Sequence, residues 1–172
     1  MLTVCACGRA ATDADESPSK EPDVAAPHPV NAELIAEHTT IQPGGATRVG
    51  VRFTIEPGWH IYYETPGDAG LPTKIEWSAP SGCWFGPLQW PNPKRFMDPG
   101  NIKTFGYEKD VTLISELRYQ TVRDAYTELP LNATVSWLAC KELCIPGQAS
   151  LDLTLPVSPE PPARSPRAAV FD

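Results

Sequence analysis

Two cysteines four positions apart lie in the segment Ser136-Trp-Leu-Ala-Cys140-Lys-Glu-Leu-Cys144-Ile-Pro-Gly147. Cys140 closes a stretch of alternating apolar and polar residues, and Cys144 follows in what reads as the loop before the next such stretch. Cysteines this close can bond if the chain bends between them. Such a pair has three uses. As a staple it is weak, because chain entropy gives only about 2 kcal/mol for so short a loop, against about 4.7 kcal/mol for a 100-residue one. As a reagent it needs access for a thiolate, which a short loop at a sheet edge provides; Lys141 favours a thiolate there and Glu142 opposes it. As a metal site it lacks the second ligand pair of a zinc ribbon, and His28, His38 and His60 are scattered. Spacing alone leaves redox exchange, a structural disulfide and metal binding open.

The other candidates are less specific. The chain has five cysteines, so at least one is unpaired or modified. Cys83, in Ser81-Gly-Cys-Trp84, reads as a free cysteine, buried or in a loop. Val4-Cys5-Ala6-Cys7 is a loose lipoprotein-type cleavage box, with Cys7 as the residue that would carry the lipid; the bland alternative is a meaningless tail, since the apolar run before it is too short for a signal peptide. The aromatic segment Gly58-Trp-His-Ile-Tyr-Tyr-Glu64 reads mainly as core packing, with His60 a partly buried histidine. Phe105-Gly106-Tyr107 differs, because an aromatic beside glycine between strands suits a loop tip that could cover something reactive.

The elements that must position these residues have a period of two. Val49, Val51, Phe53 and Ile55 alternate with polar or small residues over 47–56, Leu131, Ala133, Val135 and Trp137 over 131–138, and Leu151, Leu153 and Leu155 over 150–157. Each pattern predicts a strand with one buried face. Weaker strands are expected at 31–40, 73–78 and 111–117. Turn signals separate them at Pro43-Gly-Gly45, Pro57-Gly58, Thr65-Pro-Gly-Asp68 and Pro99-Gly100. No segment carries a helical stripe, and 20 prolines disfavour long helices. The expected fold is all-β, an immunoglobulin-like β-sandwich with disordered tails at both ends. Residues 1–30, poor in large apolar side chains, read as a signal remnant and flexible linker. Residues 31–157 read as the folded domain and 158–172 as a disordered tail.

A net charge of −7 argues against a nonspecific nucleic-acid binder, which needs a basic face. No run of about 20 apolar residues is present to span a membrane. A close cysteine pair in a small all-β domain suits an oxidising compartment.

Residues 38–157 resemble the N-terminal periplasmic domain of the DsbD-type thiol:disulfide interchange proteins, including the ScsB branch. The resemblance rests on Pro57-Gly-Trp-His-Ile-Tyr-Tyr63, Pro66-Gly-Asp-Ala-Gly-Leu-Pro72, Gln89-Trp-Pro91, Phe105-Gly-Tyr107 and Val135-Ser-Trp-Leu-Ala-Cys-Lys-Glu-Leu-Cys-Ile-Pro146, in the family's order. It implies an immunoglobulin-like fold and a periplasmic domain that relays electrons from a membrane-embedded disulfide reductase to thioredoxin-like partners such as disulfide isomerases; a lipid anchor would come only from the Cys7 box. Cytochrome c biogenesis is among the processes so served. No cofactor or metal is implied. The redox pair maps onto Cys140 and Cys144, with Cys144 attacking and Cys140 resolving, and Phe105, with Gly106 and Tyr107 beside it, maps onto an aromatic cap loop. The cysteine spacing is shorter than in the best-known members and closer to the ScsB-like branch, and the order Phe-Gly-Tyr differs from the best-known cap. No transmembrane reductase segment or C-terminal thioredoxin-like domain reads out of these 172 residues, so the expectation is a separate electron donor or none, with the direction of electron flow left open. The rivals are an immunoglobulin-like interaction module with a structural disulfide and a soft-metal-binding domain.

Overall fold

The computed structural model describes residues 28–98, 100–120 and 126–172. Among the described residues ten strands form two sheets. One has the order β1 (Val30–Ala36), β2 (Ala46–Ile55), β8 (Asp110–Tyr119) and β5 (Cys83–Phe85). The other runs β10 (Cys144–Pro156), β9 (Glu128–Cys140), β3 (His60–Gly67), β7 (Ile102–Tyr107) and β6 (Lys94–Asp98), and β4 (Lys74–Ser78) also pairs with β9. Among the described residues these strands pair antiparallel throughout.

The period-two pattern explains the sandwich. Val49, Val51, Phe53 and Ile55 of β2, and Val111, Leu113, Leu117 and Tyr119 of β8, are buried on one side. They meet Leu129, Leu131, Ala133, Val135, Trp137 and Ala139 of β9 in a single core. Phe53 and Trp137 join the two sheets edge to face, with ring centroids 5.6 Å apart. Ser115 sits on the buried side of β8, and its hydroxyl donates to Gly86 O at 2.7 Å, so that burial leaves no polar group wanting.

The strands expected at 31–40, 73–78 and 111–117 are present as β1, β4 and β8. The sequence reading missed β3, β5, β6 and β7. β3 and β7 are aromatic-rich, and without a clean alternation their residues read as core filler and loop.

The segment 158–172, expected as a disordered tail, instead packs along the end of the domain. Thr39 N–H donates to Ala163 O at 2.9 Å and Ser165 N–H to Glu37 O at 2.8 Å. The Ser165 hydroxyl donates to Ala36 O at 2.6 Å. A short 3-10 helix, Ala168–Phe171, then buries Phe171 under the guanidinium of Arg48. Arg48 also donates to Phe171 O and makes two bonds to Glu37, at 2.9 and 2.7 Å. Proline lowers the entropy that ordering must overcome, and burying one phenylalanine contributes about 1.5–3 kcal/mol. Composition alone did not weigh that single anchor. Residues 1–27, with Cys5, Cys7 and the linker expected there, lie outside the described residues.

Candidate functional site

Strands β9 and β10 form a long hairpin whose register runs from Pro156 opposite Glu128 to Cys144 opposite Cys140. Its tip is the turn 141–143, where Lys141 N–H donates to Leu143 O at 3.0 Å. Cys144 therefore opens β10 rather than lying in a loop. The two cysteines are the last pair of the ladder, with Cα atoms 4.1 Å apart, and they are joined by a disulfide. Facing residues that do not exchange backbone hydrogen bonds have the closer Cα spacing and the closer side chains, so the hairpin itself brings the sulfurs together.

The two sulfurs have unlike surroundings. The odd-numbered residues of β9, up to Ala139, point into the core. Cys140 is one step further and belongs to the outward face. It is nevertheless only 3% exposed, whereas Cys144 is exposed. The next strand helps to cover Cys140. His60, the first residue of β3, is its direct neighbour in the ladder and is itself 6% exposed. Phe96 of β6 stacks on the His60 ring at 4.5 Å with an interplanar angle of 17°, and Tyr62 meets that ring edge-on at 5.1 Å. On one side, then, the pair is shielded by an aromatic and imidazole stack. On the other, Cys144 and the exposed Leu143 face outward.

Phe105, Gly106 and Tyr107 are not at a loop tip. They lie in β7, between β3 and β6. Gly106 is needed there: a Cβ would stand 2.0 Å from Ile61 O, so only glycine lets β7 approach β3 this closely. Tyr107 is buried, its hydroxyl donates to Pro91 O at 2.7 Å, and burial raises its pKa. Phe105 is half-buried in β7, and its ring lies next to Gly67. Phe96, opposite Thr104, belongs to the face away from Phe105, with His60. Phe96 is the aromatic that stacks on His60, the ladder neighbour of Cys140. The turn signal Pro99-Gly100 could have found it. A hairpin there brings 94–98 against 102–107 and sets Phe96 and Phe105 on opposite faces.

The remaining candidates lie apart. Cys83 is a free, half-buried thiol in β5 of the other sheet, and burial pushes its pKa up. Among the described residues no cluster of three or more His, Cys, Asp or Glu side chains is placed to hold a metal. Nor is any described helix long and apolar enough to cross a membrane.

Comparison with known proteins agrees with this geometry. The family model described as "Thiol:disulfide interchange protein DsbD, N-terminal" matches residues 30–156. The chain belongs to this family. Among solved structures, it is similar to the N-terminal periplasmic domain of ScsB from Proteus mirabilis, with 25% identity and a TM-score of 0.55 over 78% of this chain and 49% of that one. The chain thus spans about half the length of that structure. It also matches the DsbD N-terminal domain of Neisseria meningitidis in the reduced form, at 18% identity and a TM-score of 0.41, over 72% of this chain and 86% of that one. A third match is the complex between the DsbD N-terminal and PilB N-terminal domains of Neisseria meningitidis, at 16% identity and a TM-score of 0.39, over 69% and 80% of the two chains. No curated protein matches the chain. A thiol–disulfide interchange domain with a Cys140–Cys144 disulfide is what the family and the hairpin together support.

Proposed function

We propose that this domain is a periplasmic electron relay, in which the Cys140–Cys144 pair takes electrons from a membrane-embedded disulfide reductase and passes them to thioredoxin-like proteins. The observation that carries the reading is the unequal exposure of two bonded cysteines at the tip of one hairpin, 3% for Cys140 against an exposed Cys144. A thiol that must reach a partner's sulfur has to be open, and a thiol that must finish the reaction is better kept from competing oxidants.

The steps follow. Reduced Cys144, as thiolate, attacks one sulfur of the partner's disulfide. That bond breaks, a mixed disulfide forms, and the partner's second sulfur leaves as a thiolate. Cys140 then attacks the Cys144 sulfur, the Cys140–Cys144 bond forms, and the partner leaves as a dithiol carrying two electrons. Phe96, stacked on His60 beside Cys140, is proposed as the aromatic cap in place of Phe105. Docking of a partner would move it aside.

The test is a trap. Cys140→Ala, reduced and mixed with a purified oxidised thioredoxin-fold disulfide isomerase, is expected to accumulate a mixed disulfide through Cys144, and Cys144→Ala is expected to accumulate none. Equal trapping by both variants, or none by Cys140→Ala, contradicts the assignment.

A further inference from the structure

One line of side chains crosses the sheet at the buried end of the cysteine pair. Cys144 stands opposite Cys140, and Cys140 stands opposite His60. On the far side of β3, Ile61 pairs with Tyr107 and Tyr62 with Gly106. Glu108 follows Tyr107 just past the end of β7, and the positive charge of His60 helps to lower its carboxyl pKa, which places the two groups near each other. Directly facing residues on antiparallel strands have Cβ atoms about 4.5–5.5 Å apart and share a face. The order across the sheet is therefore thiol, thiol, imidazole, with the carboxylate nearby. Lys94 closes the row, donating to Glu108 at 2.7 Å.

We infer that His60 is the proton acceptor for Cys140 in the resolving step, and that Glu108 holds the imidazole's charge and orientation. The inference rests on the exchange chemistry proposed above. A buried thiol is a poor nucleophile because burial disfavours the thiolate, and a neighbouring imidazole is the usual remedy. The proton leaves the Cys140 thiol for a ring nitrogen of His60. The thiolate attacks the Cys144 sulfur in the mixed disulfide, the Cys140–Cys144 bond forms, and the bond from Cys144 to the partner breaks. The partner's sulfur leaves as a thiolate and takes a proton from the imidazolium. Two electrons pass to the partner, and no further oxidant or reductant is needed.

The other groups around the imidazole fit this role. On its own strand, Tyr62 meets it edge-on, and from β6 Phe96 stacks on its face. Lys94 lies over the Phe96 ring, 5.4 Å from the centroid, and is engaged by Glu108. Lys109 follows Glu108, and Lys141 of the hairpin turn sits near Gly58, before β3. These lysines oppose a positive imidazole, and Glu108, whose carboxyl feels the His60 charge, favours it. The Glu108 carboxyl is held below the usual range, first by the hydrogen bond from Lys94 and also by the positive charges of Lys94, Lys109 and His60.

The experiment follows the His60 ring signals by NMR against pH in the oxidised and the reduced protein. The imidazole midpoint is expected to rise on reduction, when a thiol or thiolate replaces the disulfide sulfur beside it, and to fall in Glu108→Gln. Alkylation of Cys140 in a Cys144→Ser background, read by mass spectrometry of the Cys140 peptide, is expected to slow about tenfold near neutral pH in His60→Gln, the equivalent of one pKa unit. Glu108 is exposed, so Glu108→Gln decides the matter if His60→Gln fails to fold. A midpoint indifferent to redox state and to Glu108→Gln, or alkylation unchanged in both variants, overturns the row. These readouts need no partner protein. A failed trap with an intact titration therefore counts against the relay and not against His60.

Discussion

At the scale of residues, Cys140 and Cys144 are the same side chain in two environments, and that difference sets their order of action. The sequence showed the pair and its spacing, and it left staple, reagent and metal ligand open. It could not show which sulfur is covered, because the cover comes from β3 and β6, some 80 and 45 positions upstream in the chain. His60 read as a packing residue between Trp59 and Ile61 for the same reason: its alignment with Cys140 is a matter of register, not of spacing. The family resemblance and a loop-tip reading point to Phe105 as the cap, whereas Phe105 lies within β7, where the neighbouring Gly106 allows the close approach to β3. Phe96 and Phe105 are therefore expected to behave differently. Phe96→Ala should expose the cysteine pair and raise its rate of reduction by dithiothreitol, by about threefold or more, since access governs exchange. Phe105→Ala should leave that rate near the parent's. Stopped-flow measurement of the two variants checks this, and the reverse ranking would return the cap to Phe105.

At the scale of elements, the β9–β10 hairpin is held by its ladder rather than by its disulfide. Thirteen facing pairs connect the strands, and β9 buries six core residues below the tip, from Leu129 to Ala139. Closing the few residues 141–143 removes little entropy from the unfolded chain, about 2 kcal/mol in the chain-entropy model. The double variant Cys140→Ser/Cys144→Ser is thus expected to stay folded, losing about 2 kcal/mol or less in a denaturant titration. A loss near the 5 kcal/mol typical of essential staples in small domains would mark the bond as structural. β9 and the core part of β2 were legible because their alternation is regular. The paired strands β6 and β7 were not, because Lys94–Asp98 is short and mostly polar and Ile102–Tyr107 is interrupted by glycine. Their pairing follows the turn before Ile102, where Gly100 and Asn101 both adopt positive φ, at 89° and 63°.

At the scale of the whole molecule, the two-sheet sandwich is the rigid frame that holds one hairpin tip and one aromatic stack in register. The fold class was legible from period and turn chemistry, and the family from ordered motifs that the match over residues 30–156 bears out. The end of the domain was not, because a proline-rich segment with few apolar residues resembles a tail until Phe171 finds Arg48 and the edge of β1 takes its hydrogen bonds. The net charge of −7 weighs against nonspecific nucleic-acid binding, which needs a basic face. The central claim is that the disulfide is a working redox couple. Its most direct test is the reduction potential of Cys140–Cys144, measured by equilibration in glutathione or dithiothreitol buffers and alkylation of the free thiols. The account predicts a reversible two-electron titration between about −270 and −180 mV, the span of exchange-active pairs. A value below about −300 mV, where structural disulfides lie, or no reversible titration, would contradict it.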